Sequence, residues 1–224
     1  MLGLGGLALA GAVLGGRPSV AADGPTTKVT IDEAIAKLKA GNDKYLQAPE
    51  VCARDLKSSR AQVANLQTPW VTVLSCSDSR VPPELLFGGL GVGELFVVRN
   101  AGNTIDTASL GTIEYGVAVL KTPLILVMGH ERCGAVVAAC DIVSKKATFP
   151  GSIGKMVETI VPAAKSVEKA SGDFVDNAVR ANAKQSAAKL LSESKIIADL
   201  VKDGKVKVVA ARYDLDDGRV EYLT

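Results

Sequence analysis

The sequence predicts an α/β fold: a single domain with a mostly parallel central β-sheet, about four parallel strands plus a C-terminal antiparallel edge strand, flanked by helices. Three observations carry this. Short apolar runs, Trp70–Leu74, Leu95–Arg99, Leu124–Met128 and Val206–Ala211, are spaced by segments with helical periodicity, the signature of strands joined by crossover helices. Asp216-Asp217-Gly218 before Arg219–Leu223 is a hairpin signal. Two of the strands, Trp70–Leu74 and Leu124–Met128, run out into Ser75-Cys76-Ser77-Asp78-Ser79-Arg80 and Gly129-His130-Glu131-Arg132-Cys133-Gly134. In open α/β sheets, chemistry collects at the carboxyl ends of parallel strands.

The chain of 224 residues is 47% hydrophobic and 22% charged, an ordinary globular balance with enough length for a sizeable core. A formal charge of +2 without long basic runs asks for no nucleic acid and no acidic membrane surface. Four cysteines are too few for a disulfide framework at this length, and there is one histidine, His130.

Residues 1–21 read as a signal peptide: Met1–Gly16 is almost wholly Leu, Ala, Gly and Val, and Ser19-Val20-Ala21 has the small-x-small pattern of a cleavage site. No Lys or Arg precedes the apolar core, which a start codon placed too late would explain. The mature protein is expected in the periplasm or outside the cell, with no membrane span. Residues 22–29 then form a linker and residues 30–224 the single folded domain.

Thr30-Ile31-Asp32-Glu33 is a capping box. Ile31, Ala34, Ile35 and Leu38 continue it as an amphipathic helix expected to stop at Gly41. Leu56–Leu66 is a plainer segment leading to the first strand. Pro82-Pro83 suits the first turn of a short helix, and Gly88–Gly93 turns the chain into the second strand. Asp106–Leu120 is a helix with Leu110, Ile113, Val117 and Leu120 on one side. Another begins over Cys133–Val143, and Ser152–Lys202 is helical in two or three pieces broken near Ser171-Gly172.

Cys76, His130 and Cys133 make a Cys₂His set, the ligand count of a zinc site with its fourth position open. Taken singly, each is better read as a buried thiol or a satisfied core histidine. As a set at two strand ends, with Asp78 and Arg80 beside them, they read as metal ligands: two thiolates balance Zn²⁺ and imidazole fills a third corner. A water in the fourth would have its pKa lowered toward neutrality. Thiolates donate more charge than imidazoles, so activity is expected to be better at mildly alkaline pH.

The C-x-D-x-R run at Cys76, Asp78 and Arg80, followed by H-x-x-C at His130 and Cys133, resembles the β-class carbonic anhydrases. The resemblance covers roughly Thr30–Leu223 and includes Gly93–Asn103 and the terminal hairpin Val208–Leu223. It implies one Zn²⁺ per chain on Cys76, His130 and Cys133, whose bound hydroxide hydrates carbon dioxide to bicarbonate and a proton. Asp78 would accept a hydrogen bond from that hydroxide while Arg80 keeps Asp78 ionised and pointed. In some members the aspartate occupies the fourth zinc position and shuts the site. Gln67 and Gly134 match residues that bind substrate. Val73 stands where members with a noncatalytic bicarbonate site carry Trp, so such inhibition is not expected. Arg99 matches an arginine as readily structural as functional.

The partners implied are CO₂ and bicarbonate and a second copy of the chain, as a homodimer or dimer of dimers. Two alternatives stay open: a CS₂ or COS hydrolase on the same scaffold, and a zinc-stabilised binding protein without catalysis. Against the second stands Asp78–Arg80, which a closed structural site does not use. Cys140, two helical turns beyond Cys133, reads as a core residue, and a disulfide to Cys52 would be possible in an exported protein.

Overall fold

A computed structural model describes residues 26–48, 60–61 and 63–223. The proposed leader, Cys52 and residues 56–59 and 62 of the Leu56–Leu66 segment lie outside them. The sheet has five strands: β1 (Val71–Cys76), β2 (Leu95–Asn100), β3 (Leu124–His130), β4 (Lys207–Tyr213) and β5 (Val220–Leu223). Their order is β2-β1-β3-β4-β5. The first four are parallel and β5 pairs antiparallel with β4 at the edge, as the hairpin signal implied.

β1 and β3, in the middle, are buried at every residue, as expected of parallel strands covered on both faces. β1 runs two residues beyond the expected Leu74. Ser75 and Cys76 still pair with Arg99 and Asn100 of β2, so the ladder continues into the motif itself.

Eight helices are defined among the described residues. On one face lie α1 (Ile31–Gln47) and the short α2 (Pro83–Leu86). Ala34, Leu38, Leu86 and Phe87 pack there against Val71, Val73, Leu126 and Met128. The capping box of α1 forms as read: the Glu33 carboxylate accepts from the Thr30 N–H at 2.7 Å, and Thr30 Oγ1 from the Glu33 N–H at 3.3 Å.

The helix does not stop at Gly41. A Cβ there would lie 2.2 Å from the Phe87 carbonyl oxygen, so the glycine lets α1 press against the end of α2. Close approach, not termination, accounts for it.

The opposite face carries α3 (Thr107–Ala118), α4 (Gly134–Lys145), α5 (Gly151–Glu158), α6 (Val161–Ser166), α7 (Phe174–Glu193) and α8 (Lys195–Lys202). Ile113, Val117, Leu190 and Ile197 cover Leu74, Ile125 and Val127. Nearer the carboxyl ends, Val136, Ala139, Ile160, Ala178 and Val179 surround Cys76 and Cys133. The stretch from Ser152 to Lys202, expected in two or three helical pieces, is in four. One break falls at Ser171-Gly172 as read, where Gly172 has φ 92°. Another is made by Ser194, whose side chain accepts from the Ile197 N–H and starts α8 at once.

Candidate metal centre

β1 and β3 are neighbours and parallel, so the side chains at their carboxyl ends emerge together. Cys76 is the last residue of β1 and His130 the last of β3. Two residues on, Arg132 takes the left-handed conformation at φ 51°, folding the chain back so that Cys133 caps α4. The donor atoms of Cys76, His130 and Cys133 all lie within 4.8 Å of one another, and all three residues are buried.

The chemistry of this set fits a cation. His130 Nδ1 is 2.9 Å from the Glu131 carbonyl oxygen, which can only accept, so the ring proton sits on Nδ1. Nε2 then presents a lone pair, and it is buried without a hydrogen-bond partner. Leaving a polar atom so costs about 1–3 kcal/mol, which a metal ion at Nε2 would offset. The two sulfurs are 3.9 Å apart. Without a cation between them, the shared S–H contact depresses the Cys76 pKa and raises that of Cys133, because two adjacent thiolates repel. A divalent cation lets both ionise.

Asp78 is held beside the set. Its carboxylate receives two parallel hydrogen bonds from Arg80, Nε to Oδ1 at 2.9 Å and Nη2 to Oδ2 at 2.8 Å, and a third from the Arg80 N–H at 3.0 Å. Such a forked pair is among the stronger charge-assisted contacts. It holds Asp78 well below the usual carboxylate range. Oδ2 lies 3.8 Å from His130 Nε2, so a charged acceptor faces the same space as the orphaned lone pair.

Arg99 fixes the loop from below, donating to the carbonyls of Cys76 at 3.0 Å and Asp78 at 2.6 Å. Its part in the described structure is to hold the backbone. Gly134 is the first residue of α4 and exposed, with its N–H among the unpaired donors of a helix start. Gln67 is exposed on the loop before β1 and makes no hydrogen bond among the described residues.

A family model described as carbonic anhydrase matches residues 71–220. The chain belongs to the β-class carbonic anhydrases. It is 38% identical over 184 residues to a carbonic anhydrase of Mycolicibacterium smegmatis, covering 82% of this chain and 89% of that one. It is 36% identical over 182 residues to carbonic anhydrase 2 of Mycobacterium tuberculosis, covering 81% and 87%. The β-carbonic anhydrase of Coccomyxa, solved with acetazolamide, superposes with a TM-score of 0.65 at 28% identity over 75% of this chain and 78% of that one. One from Sordaria macrospora shares the fold at a TM-score of 0.65 and 24% identity, covering 81% and 89%.

As a carbonic anhydrase, the chain is an enzyme of carbon dioxide hydration and its family uses zinc. Cys140, by contrast, stays outside the ligand set. It is a buried free thiol that burial pushes up to about 11, a core residue as read. Its proposed disulfide partner, Cys52, lies outside the described residues.

Two further residues, given no role of their own in the sequence, hold the centre in place. Gly102 donates its N–H to Cys76 Sγ at 3.4 Å. Glu131 locks the turn after β3: its N–H donates to the Tyr213 carbonyl at 2.9 Å, and its carboxylate accepts from the Leu215 N–H at 3.1 Å.

Proposed function

We propose that the chain hydrates carbon dioxide reversibly to bicarbonate and a proton, using one zinc ion held by Cys76, His130 and Cys133. The observation that carries this is the buried, unpartnered Nε2 of His130 facing two thiols. When bound, zinc supplies Lewis acidity that makes a water molecule a competent nucleophile near neutral pH.

The remaining work falls to the chain's own groups. The Glu131 carbonyl holds the His130 tautomer that leaves Nε2 free to coordinate. Asp78, kept ionised by Arg80, accepts a hydrogen bond from the attacking O–H and turns its lone pair toward the carbon of CO₂. The Arg80 fork keeps the carboxylate committed to that direction. The Gly134 N–H, at the positive end of α4, donates to the oxygen on which charge grows. Gln67 is assigned the same task on family resemblance; exposed and unbonded, its amide is available.

The mature chain is proposed to begin near Ala22 and to act outside the cytoplasm, with a second copy as partner. Leu66, Leu85, Val92 and Tyr115 are exposed apolar groups that support assembly. Among the described residues no helix is long and apolar enough to cross a membrane.

The test is zinc content and CO₂ hydration of the purified chain beside Cys76→Ser. The parent should hold about one zinc per chain and turn over CO₂ faster than CS₂ or COS. The variant should lose both metal and activity. Full zinc in Cys76→Ser would sink the ligand assignment.

A further inference from the structure

Asn182 lies in the interior of α7 and is 1% exposed. Its neighbours on the same buried face, Ala178, Val179 and Ala183, are small and apolar. A buried amide is costly unless bonded, and this one is only half satisfied. Nδ2 donates to the Gly102 carbonyl at 2.8 Å, while Oδ1 has no partner. Packing alone would be served better by an apolar side chain of similar volume, so the amide answers to something else.

Its partner reaches the metal centre. The residue whose carbonyl Asn182 holds is the residue whose N–H points at Cys76 Sγ, at 3.4 Å. Gly102 has φ 74°, and a Cβ there would stand 2.6 Å from Ile160 Cδ1 and 3.1 Å from the Ala135 methyl group. Only glycine lets this turn enter between α4 and Ile160. Asn103 follows, also left-handed at φ 44°. Two consecutive residues of that kind make a turn with little backbone preference for staying put. Asn182 tethers it from 80 residues along the chain.

An N–H aimed at a thiolate draws electron density from sulfur and limits the directions in which its lone pairs can bind a cation. We propose that Asn182 is a positioning residue of the metal centre: through Gly102 it holds the amide that hydrogen-bonds the Cys76 sulfur, and so sets how that sulfur binds zinc. This rests on Cys76, His130 and Cys133 being the ligands.

The test compares the full chain with Asn182→Ala, Asn182→Ser and Cys76→Ser. It reads zinc affinity by chelator competition, the sulfur-to-metal absorption band of the cobalt-substituted proteins, and thermal unfolding. Asn182→Ala is expected to bind zinc about 10-fold more weakly or worse and to shift the cobalt band. Asn182→Ser, which keeps a shorter donor, should fall between. Parent-like affinity with an unshifted band in Asn182→Ala would overturn the proposal. If that variant does not fold, the same parent-like pair of results in Asn182→Ser overturns it. A parent chain without zinc, or a Cys76→Ser chain that keeps it, would fail the ligand assignment itself.

Discussion

Asp78 and His130 point into one small space with opposite equipment, a held carboxylate and a free lone pair 3.8 Å apart. With Arg80 bound to both of its oxygens, the task proposed for Asp78 is to orient rather than to coordinate. Asp78→Ala should therefore keep its zinc while its hydration rate falls about 100-fold, within the range of a lost positioning or acid–base contact. Metal analysis and stopped-flow hydration on the same sample check this, and a parent-like rate would make the pair structural. At this scale the sequence was most legible where the chemistry is local. Cys76-x-Asp78-x-Arg80 and His130-x-x-Cys133 each fall within a few residues at the end of a strand, so the set and its place suggest the donors. Gly102 and Asn182 stand 26 and 80 residues from the atoms they hold. No local pattern brings them together, and the packing of α7 on the sheet does.

The helices and turns show the same division. The start of α1 was readable because a capping box is a four-residue affair, whereas its end was misread because Gly41 answers to Phe87, an element away. Gly41→Ala gains helix propensity of about 1 kcal/mol, yet it drives a methyl group into a backbone oxygen. The clash wins, and urea unfolding should show a net loss of about 1–3 kcal/mol. The β4–β5 turn offers a pH test. Asp214 accepts from Arg212 at 2.8 Å and from the N–H groups of Asp216 and Asp217. The Arg212 contact leads in lowering its pKa to about 2. A depressed carboxylate stabilises the fold fully above its ordinary value near 4 and ceases to do so as pH falls toward 2. Asp214→Asn should thus melt below the parent at pH 6, with the gap closing between about pH 4 and pH 2. A gap that stays constant over that window would remove Asp214 from the account.

Taken as a whole, the molecule has a single histidine, and its ring is engaged at Nδ1 by Glu131. Each hydration releases a proton, and no second imidazole exists to carry it. Burial and the Tyr45 hydroxyl push Tyr213 above its ordinary value, too high to relay protons near pH 7. Limiting amounts of an imidazole-type buffer should therefore raise kcat steeply while leaving kcat/KM nearly flat, since attack on CO₂ precedes proton removal. Buffer-independent kcat would reveal an internal relay. Among the described residues, the layering of helices over the sheet was visible in the alternation of patterns, because every layer must bury an apolar face. The donors borrow from that layering. Cys76 and His130 belong to β1 and β3, two of the three strands with partners on both sides, the part of a sheet that amide exchange with solvent deuterium reaches last. Three apolar clusters pack around that region. Losing its metal should then leave this enzyme idle but intact, a folded receptacle that regains activity on refilling, unlike small zinc domains that come apart when stripped.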